Sequence, residues 1–392
     1  MSGVSFDPSC CDLCDSAEAQ VVVDWRAPSI MSDGHVIEAD LRRVQCSCCG
    51  LIRNASHFSA EDCTSYYKND YSLGKKAKEE EPILFSRGGA FKRSKIIGEW
   101  ISEALVDFSV TQGCKVLEVG CGEGALMSEL KESWRVVDFH GIDLSESAVS
   151  IAIDKGLAVE CYDIDAQSGV FDLIYSVAVI EHTPSPSSFL QSMSERLKQN
   201  GRIVVIAPCQ DHGNRDFLFW DHLYLFHSDH IICFAEKAGL KLSYCDTTHP
   251  MLSGFAMLVF EKEEQPDKGP VVYIPQDITV SVNWWRSCFF ELDIWLKKCQ
   301  NCKLFVYGVG EAYEIISGYS SLKKSQIYCG FDDNPKRASF VADFSVYQPD
   351  LGIVSSVDAG ALLITFNPND DLLFEVEKLG IPVFALGKGE IC

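Results

Sequence analysis

Three glycines at alternate positions mark the stretch of the chain with the clearest chemical potential. Gly120, Gly122 and Gly124 follow an apolar run at 115–119 and precede a helix-like stretch. Glycines at this spacing let the backbone turn tightly and come close to a ligand. The helix that follows presents free N–H groups at its first turn. The pattern predicts a strand, a ligand-binding turn and a helix, and by itself it fits any nucleotide loop of an α/β fold.

Two acidic residues narrow the chemistry of this loop. Glu118 stands two residues before the first glycine. Asp143 closes the next apolar run, at 136–142. It comes about 20 residues after the loop, where α/β nucleotide-binding folds place a ribose-binding carboxylate. The loop and its two acids therefore predict a nucleoside ligand.

The loop and its acids resemble the first motif of class I S-adenosylmethionine-dependent methyltransferases. Further stretches resemble later motifs of that family, in the same order and at similar spacing; they are 141–145, 171–176, 179–182 and 200–208. The loop after the fourth strand, for example, reads Val-Ile-Glu-His. The resemblance implies a methyltransferase, and the alternative is a plain dinucleotide-binding domain.

The resemblance also implies cofactor contacts. Glu118 is expected near the methionine end of S-adenosylmethionine, and Asp143 on the ribose hydroxyls. The backbone of the glycine loop, with Gly120, Cys121 and Gly122, is expected to line the cofactor.

An acid after the third strand is expected to reach the adenine amino group. Asp163 is the first choice, with Ile164 against the ring, and Asp165 is the competitor. Leu144, directly after the ribose acid, completes the predicted set of cofactor contacts.

Two Cys-x-x-Cys pairs near the N-terminus predict a metal site. Their members are Cys11, Cys14, Cys46 and Cys49. Each pair can place two thiolates on one tight turn, and two such turns complete a tetrahedral site. Four protein ligands leave no open position, so the pattern predicts structural zinc, with a redox pair or coincidence as the alternatives. Cys10 and Cys48 fit the spacing less well.

The elements that must position these residues alternate between strand and helix over 113–262, which predicts a mostly parallel sheet with helices on both faces. Strands are expected near 115–119, 136–142, 157–161, 171–176, 202–207, 240–246 and 253–261. Helices are expected near 123–132, 145–155, 187–198 and 229–238. The last two strands lack a helix between them and should form an antiparallel hairpin at one edge. The predicted fold class is α/β, with a seven-stranded Rossmann-like methyltransferase core.

A charged stretch at 261–270 predicts a linker, and a second, smaller α/β domain is expected after it. Its expected elements are a helix at 278–299 and strands at 303–307, 326–331, 361–365 and 381–384. Gly308-Val-Gly310 in this domain could seat a phosphate or form a bare tight turn. The predicted division is a zinc-binding domain at 1–66, a methyltransferase domain at 67–262 and a C-terminal Rossmann-like domain at 263–392.

This layout, with Phe-Asp-Asp-Asn-Pro-Lys at 331–336, resembles the C-methyltransferases that act on nucleotide-linked keto-deoxysugars. The resemblance implies methylation of a sugar carbon next to a ketone. In that family a Tyr-x-Glu-His segment is tied to deprotonating this carbon. The matching stretch has Phe219 for the tyrosine and Asp221 for the glutamate, and it keeps His222. An O- or N-methyltransferase on a sugar or another small metabolite is therefore the alternative.

A general base is expected beyond the carboxyl ends of the fourth and fifth strands, in the crevice that open α/β sheets use for ligands. Five of the nine histidines fall between positions 182 and 230; they are His182, His212, His222, His227 and His230. A histidine can accept a proton near neutral pH. His222 with Asp221 is the first choice of base, His182 is the second, and Tyr224 is an assisting group.

The polar stretch at 51–75 carries Tyr66, Tyr67 and Tyr71 directly before the predicted catalytic domain. Tyrosines in such a stretch mostly serve packing, but one of them here could cover the cofactor or reach the substrate.

Composition limits the partners of the protein. The formal net charge of −22 disfavours a nucleic-acid partner, which usually needs a basic surface. No apolar run approaches the roughly 20 residues of a membrane span, and the N-terminus lacks the features of a secretory signal. The predicted location is the cytoplasm, and the predicted partner is a small molecule, with a nucleotide-linked sugar as the leading candidate. The alternative of another class is a non-catalytic zinc- and nucleotide-binding assembly protein.

Overall fold

The computed structural model describes residues 9–56, 65–68, 83–86, 89–108, 112–135, 137–209, 215–263, 272–333, 344–366 and 368–391. Several predicted features fall outside these residues; they are Tyr71, His212, most of the 261–270 linker and the end of 331–336. Within the described ranges, no helix combines the length and the apolar character needed to cross a membrane.

The N-terminal unit is built from short antiparallel strands. They are β1 (Ala19–Trp25), β2 (Ser29–Ile30), β3 (Val36–Ile37), β4 (Leu41–Cys46) and β5 (Ile52–Asn54). A fourth strand completes the sheet of β1, β4 and β5, and it comes from a much later part of the chain. This strand, β13 (Tyr224–Leu225), pairs antiparallel with β5. The segment that leads into β13 is thereby attached to the N-terminal unit.

Among the described residues, the central sheet has the seven strands that the sequence predicts. They are β8 (Lys115–Val119), β9 (Asp138–Asp143), β10 (Val159–Cys161), β11 (Phe171–Val177), β12 (Leu197–Pro208), β14 (Leu240–Asp246) and β15 (Phe255–Lys262). Their order is β10-β9-β8-β11-β12-β15-β14. The first five run parallel, and β15 is antiparallel to both β12 and β14, which confirms the predicted edge hairpin. β12 begins earlier than predicted because Leu197 already pairs with Phe171 of β11.

Helices flank and connect the strands of the core at the predicted places. They are α1 (Arg93–Ala104), α2 (Ala125–Ser133), α3 (Glu146–Asp154), α4 (Pro186–Glu195) and α5 (Ser228–Lys237), and a hairpin of β6 (Ile83–Ser86) and β7 (Gly89–Lys92) precedes α1. Ser145 and Ser185 cap α3 and α4, because their side chains accept hydrogen bonds from backbone N–H groups of the first turn. Three short 3-10 turns, at 164–166, 180–182 and 216–218, carry residues of the candidate site.

The C-terminal part forms a second α/β unit, as predicted. Its elements are α6 (Thr279–Lys298), β16 (Lys303–Tyr307), α7 (Glu311–Tyr319), β17 (Ile327–Phe331), β18 (Val346–Tyr347), α8 (Leu351–Ser355), β19 (Gly360–Ile364), α9 (Asp370–Glu377), β20 (Val383–Ala385) and β21 (Gly389–Glu390). The sheet order is β18-β17-β16-β19-β20-β21, and the pairs are parallel except the last. The backbone N–H of Val309, inside the Gly-x-Gly turn, donates to the carboxylate of Asp332 at 2.8 Å.

One hydrophobic cluster joins the three parts of the chain. Its buried members include Ile30 and Leu41 of the N-terminal unit, Phe217 and Phe219 of the segment before β13, and Trp285 and Phe289 of α6. The segment that leads into β13 is therefore packed between the N-terminal unit and the C-terminal domain. Because that segment also carries Asp221 and His222, both outer parts of the chain help to position the candidate site.

Candidate active site

The glycine loop is tightly fixed against its neighbours. Gly120 and Gly124 have φ angles of 74° and 75°, which L side chains rarely adopt. A Cβ atom on Gly120 would lie 2.4 Å from Val179, and one on Gly124 would lie 2.2 Å from Leu157. The N–H groups of Gly120 and Cys121 both donate to the carbonyl of the residue before Asp143, at 2.8 and 3.0 Å. Only glycine fits both positions, and the loop is held at the carboxyl end of the sheet.

The two predicted cofactor acids flank this loop. Glu118 is 4% exposed, and its carboxyl group accepts a hydrogen bond from the Tyr175 hydroxyl at 3.1 Å. Burial raises the pKa of Glu118 to about 8. Asp143 accepts from the backbone N–H groups of Gly122 at 2.7 Å and Ser145 at 2.8 Å. A buried acid whose hydrogen-bond partners are neutral is suited to meet a cationic group, and an acid beside a glycine loop is suited to meet hydroxyls.

The two acids considered for the adenine contact have different hydrogen-bond partners. Asp163 is exposed, and it accepts a hydrogen bond from the backbone N–H of Ile164 at 2.6 Å. The carboxylate of Asp165 instead accepts from the Ser192 hydroxyl of α4. Asp165 is thus engaged with a helix, whereas Asp163 is engaged with the backbone of its own turn. Leu144, directly after Asp143, is half-buried.

The loop after β11 brings an acid and a histidine next to the glycine loop. Ala178 has a φ angle of 55°, a conformation that costs a non-glycine residue free energy and is common at functional sites. The turn that follows contains Glu181, which is 1% exposed and whose pKa is raised by burial. His182 lies beside it, with Nε2 3.9 Å from Oε1 of Glu181. Since Val179 touches Gly120, this turn adjoins the predicted cofactor loop.

His222 comes to the same place from the segment before β13. The His182 and His222 rings have centroids 4.7 Å apart and stand almost perpendicular. His222 is 6% exposed, and burial lowers its pKa well below the usual value, so the ring is neutral near pH 7. Among the described residues, Nδ1 of His222 has no hydrogen-bond partner, and the nearest acid is Asp216 at 3.8 Å.

Asp221 orients His182 rather than the adjacent His222. Its carboxylate accepts hydrogen bonds from the N–H and the hydroxyl of Ser32, at 2.7 and 2.6 Å, and from the Tyr67 hydroxyl at 3.1 Å. The same carboxylate lies 3.6 Å from Nδ1 of His182, and the Tyr67 hydroxyl lies 2.6 Å from that nitrogen. The predicted pairing of Asp221 with His222 is therefore replaced, because Ser32 and Tyr67 turn the carboxylate toward His182. Of the tyrosines predicted to pack or to reach the site, Tyr67 reaches it.

The remaining predicted residues lie around this cluster. Tyr224 is buried in β13, and its hydroxyl donates to the carbonyl of Pro184 at 3.1 Å. His227 and His230 cap the start of α5, where Nδ1 of His230 accepts from the His227 N–H at 3.1 Å. Nε2 of His230 lies 3.1 Å from the carbonyl oxygen of Cys49. These side chains hold the surrounding backbone in place.

Two residues at this site were not predicted from the sequence. Glu181 stands in the motif Val-Ile-Glu-His, so its position was available, but its burial beside His222 was not. Arg43 of β4 is fully buried, and its guanidinium donates to the carbonyl oxygens of Phe217, Phe219 and His222. An isolated arginine in a strand gives no sequence signal for this contact.

The four predicted cysteines converge at the edge of the N-terminal unit. The Sγ atoms of Cys11 and Cys49 are 3.4 Å apart, those of Cys14 and Cys46 are 3.5 Å apart, and all four lie within 4.8 Å of one another. Zinc–sulfur bonds of about 2.3 Å require sulfur–sulfur distances of about 3.8 Å in a tetrahedron. The cluster therefore fits a closed zinc site. Cys10 and Cys48 are exposed.

Part of the chain matches a known family of protein domains. Residues 80–242 match the family model described as "Methyltransferase domain". The chain carries a class I S-adenosylmethionine-dependent methyltransferase domain. The match covers the glycine loop, both predicted cofactor acids and the three residues Glu181, His182 and His222.

Curated relatives of the methyltransferase domain include ubiquinone biosynthesis O-methyltransferases. The protein of Bordetella avium is 31% identical over 131 residues, which are 31% of this chain and 52% of the relative. That of Idiomarina loihiensis is 32% identical over 135 residues, or 32% of this chain and 52% of the relative. The chain thus spans about half the length of these curated relatives.

Solved structures similar to the methyltransferase domain include magnesium protoporphyrin IX methyltransferase from Synechocystis PCC 6803 with bound SAH. It is 16% identical, with a TM-score of 0.37, over 43% of this chain and 83% of that one. A TehB-like SAM-dependent methyltransferase from Corynebacterium glutamicum is 22% identical, with a TM-score of 0.34, over 43% of this chain and 88% of that one.

Proposed function

We propose that the protein transfers the methyl group of S-adenosylmethionine to a small-molecule acceptor that lies against Glu181, His182 and His222. The observation that carries this proposal is the contact between Gly120 and Val179. It places the loop predicted to hold the methyl donor directly beside the acid–histidine cluster. Donor and acceptor sites must adjoin for an in-line displacement, because the reacting atoms have to come within about 3–3.5 Å.

In the proposed complex, residues of this chain contact each part of the cofactor. A side chain at Gly120 or Gly124 would collide with Val179 or Leu157 and distort the turn, and the buried Glu118 lacks a cationic partner in the described part of the chain. In the proposed complex, Glu118 faces the methionine ammonium group, Asp143 the ribose hydroxyls and Asp163 the adenine. S-Adenosylmethionine supplies an electrophilic methyl group on a sulfonium centre. The fixed loop orients that methyl group toward the cluster.

The cluster is proposed to remove or share the proton of the accepting atom. Nδ1 of His182 is occupied on the side of Tyr67 and Asp221, so Nε2 faces Glu181 and His222. The three groups, two imidazoles and one carboxyl group, lie close together, and Glu181 and His222 are buried. An acceptor hydroxyl placed there loses its proton and becomes a nucleophile.

We propose oxygen as the accepting atom. Phe219 occupies the position at which the sugar C-methyltransferases have a tyrosine, and its ring packs on His222 with centroids 5.2 Å apart. A phenyl ring cannot take part in deprotonating a carbon. The curated relatives over this region are named O-methyltransferases, which also favours oxygen.

C-methylation of a nucleotide-linked keto-sugar is the second candidate. It rests on the predicted zinc ribbon and on the second α/β domain, which packs against the segment carrying His222. Tyr319 of α7, for instance, donates to the carbonyl of Leu218 in that segment. A domain in this position is suited to hold the larger part of a substrate over the cluster.

The experiment incubates the full chain with S-adenosylmethionine labelled with carbon-13 in the methyl group. Phenolic acceptors and nucleotide-linked keto-sugars are supplied in separate reactions, and NMR locates the label. A labelled methoxy group supports O-methylation, and a labelled C-methyl group assigns the second candidate. The Gly120→Val variant, whose side chain would collide with Val179 and distort the loop, is the control. Labelling that persists in this variant would refute the proposed site.

A further inference from the structure

We infer that Cys299 and Cys302 form a thiol pair that exchanges with small disulfide compounds and closes into an internal disulfide. The two residues make a third Cys-x-x-Cys sequence, outside the cysteine cluster of the N-terminal unit. Cys299 directly follows α6, and Cys302 directly precedes β16. The pair belongs to the C-terminal domain, and the inference does not rest on the proposed methyl transfer.

The backbone places the two thiols within reach of each other. The N–H of Cys302 donates to the carbonyl of Cys299 at 2.8 Å, which closes a four-residue turn. The Cα atoms at the ends of such a turn lie within about 7 Å, and disulfides span Cα separations of about 4.4–6.8 Å. The two side chains also interact, since the Cys302 thiol contributes to a raised pKa of Cys299. The fold is therefore compatible with a bond between the two sulfurs.

A cavity beside the turn admits small molecules to this pair. Its volume is about 330 Å³, at the lower end of the range for small-molecule pockets. Both cysteines line it, together with Leu296 of α6 and Ile327 of β17. Cys302 is half-buried, whereas Cys299 is only 7% exposed. Cys302 is therefore the thiol that an incoming compound meets first.

A lysine in the cavity wall indicates the class of disulfide. Among the described residues that line the cavity, Lys303 is the only charged one. Its ammonium group lies 5.0 Å from the centre of the Tyr328 ring, and a cation over an aromatic ring is attracted to it. The polar residues Gln300, Ser325 and Gln326 also line the cavity. This lining suits a small disulfide that carries carboxylates, such as oxidised glutathione.

The exchange takes place in two steps. The Cys302 thiolate attacks one sulfur of the small disulfide and forms a mixed disulfide, and the other half leaves as a thiolate that takes up a proton. Cys299 then loses its proton to solvent, and its sulfur attacks that of Cys302. The first half of the compound leaves as a second thiol. The cysteine pair has lost two electrons and two protons, and the small disulfide has gained them.

The surroundings of Cys299 determine how the pair reacts. Burial raises its pKa to about 12, and the C-terminal end of a helix also disfavours negative charge. The reduced pair therefore lacks the thiolate stabilisation that makes some Cys-x-x-Cys pairs strong oxidants. The internal disulfide should form slowly and, once formed, should resist reduction.

The experiment equilibrates the full chain, loaded with zinc, in buffers of oxidised and reduced glutathione. Free thiols are blocked with N-ethylmaleimide, and trypsin releases peptide 299–303, whose only cysteines are the proposed pair. With excess oxidised glutathione, mass spectrometry should find this peptide unblocked and two hydrogens lighter than the dithiol form. Cys245 is exposed and should carry glutathione in the same samples, which shows that the reagent is active.

Recovery of peptide 299–303 with both thiols blocked, in samples where Cys245 carries glutathione, would overturn the inference. Glutathione retained on Cys302 of the wild type, without the internal disulfide, would also overturn it. These two outcomes need only the wild-type chain, so they do not depend on the folding of any variant.

Three variants assign the roles of the two thiols. Cys299→Ser should retain about tenfold more glutathione on Cys302 than the wild type, because no second thiol displaces it. Cys302→Ser should react about tenfold more slowly, because the remaining thiol is buried. Cys288→Ser, which removes another buried thiol of α6, should match the wild type. Equal behaviour of all three variants would show that the two thiols do not act as a pair.

Lys303→Gln tests the class of disulfide. The reaction with oxidised glutathione should slow about threefold more than the reaction with hydroxyethyl disulfide, which is neutral, because an exposed ion pair contributes a modest attraction. An effect of the lysine on thiol reactivity alone would slow both reactions equally. Equal slowing would therefore overturn the assignment of an acidic disulfide.

Discussion

The guanidinium of Arg43 donates a hydrogen bond to the main-chain carbonyl oxygen of His222. Arg43 belongs to a strand of the N-terminal unit, and His222 belongs to the candidate active site. The arginine is fully buried, and burial lowers its pKa to about 10, so it keeps its charge at neutral pH. The N-terminal unit is thus part of the active-site scaffold rather than an appendage.

Arg43→Leu is expected to destabilise the protein and to impair catalysis. The change removes a donor from three buried carbonyl oxygens, of which that of Phe219 also accepts from the His222 N–H, and a buried carbonyl left unsatisfied costs about 1–3 kcal/mol. We expect the free energy of unfolding to fall by about 3 kcal/mol or more, measured by urea denaturation. In the folded fraction, kcat should fall while the affinity for S-adenosylmethionine changes little, because the glycine loop does not contact Arg43.

Arg26→Leu serves as the matched control. The Arg26 side chain is 86% exposed and pairs with Asp40 at the surface. Surface changes of this kind stay within about 0.5 kcal/mol. An Arg43→Leu variant that is as stable and as active as Arg26→Leu would show that the buried guanidinium does not position the site.

Loss of the cysteine cluster should reduce turnover more than it reduces cofactor binding. Cys14→Ser removes one of four predicted zinc ligands, and structural zinc sites contribute directly to folding. The N-terminal unit would loosen, and with it Ser32, which holds Asp221 by two hydrogen bonds. Zinc content is measured with a chelating dye, and kcat is compared with the Kd for S-adenosylmethionine. Cys48→Ser, at an exposed position of the same unit, should keep one zinc per chain and full turnover.

Gly120→Ala should weaken S-adenosylmethionine binding by more than tenfold. The new Cβ would lie 2.4 Å from Val179 at a residue with φ of 74°. A loop that relaxes away from this conformation in the free variant must be strained again to bind, at a cost of about 1–2 kcal/mol, and 1.4 kcal/mol corresponds to a tenfold change in affinity. Adding Val179→Ala should recover part of the loss by removing the clash but not the backbone strain. Calorimetry measures all three forms.

Gly113→Ala separates backbone strain from contact. Gly113 also has a positive φ, of 87°, but a Cβ there would meet nothing within 4 Å. This variant should lose some stability and bind the cofactor normally. Normal binding by Gly120→Ala as well would mean that the cofactor does not lie over the glycine loop.

The parts of the site that the sequence predicts are the ones set by local spacing. The turn at Gly120 and the acid Asp143 follow from strand, turn and helix in direct succession, and both lie where predicted. The pairs Cys11–Cys14 and Cys46–Cys49 each lie on one turn. The spacing within each pair is therefore local, and only the approach of the two turns depends on the fold. Local rules decide all of these positions.

The contacts that the sequence could not predict join residues far apart in the chain. Ser32 bonds to Asp221 across 189 positions, and Arg43 bonds to the carbonyl of His222 across 179. These contacts depend on how the N-terminal sheet takes up β13. For the same reason the partner of Asp221 was predicted as its neighbour, His222, whereas tertiary packing turns it toward His182.

The affinity for S-adenosylmethionine should rise with pH through the titration of Glu118. Burial raises the pKa of this carboxyl group to about 8 in the free protein, so it is mostly protonated at pH 6. A methionine ammonium group favours the ionised form, and the complex therefore binds fewer protons than the free protein. By linkage, affinity increases as the pH rises toward 8 and levels off above it. If only the ionised form binds, the gain in affinity from pH 6 to pH 8 is about 50-fold.

Glu118→Gln is the control and should bind S-adenosylmethionine more weakly above pH 8. Because the ligand titrates equally in both proteins, the difference between their pH profiles isolates the pH dependence due to this carboxyl group. Isothermal titration at several pH values measures the difference, and parallel pH profiles for the wild type and Glu118→Gln would show that Glu118 does not face the cofactor.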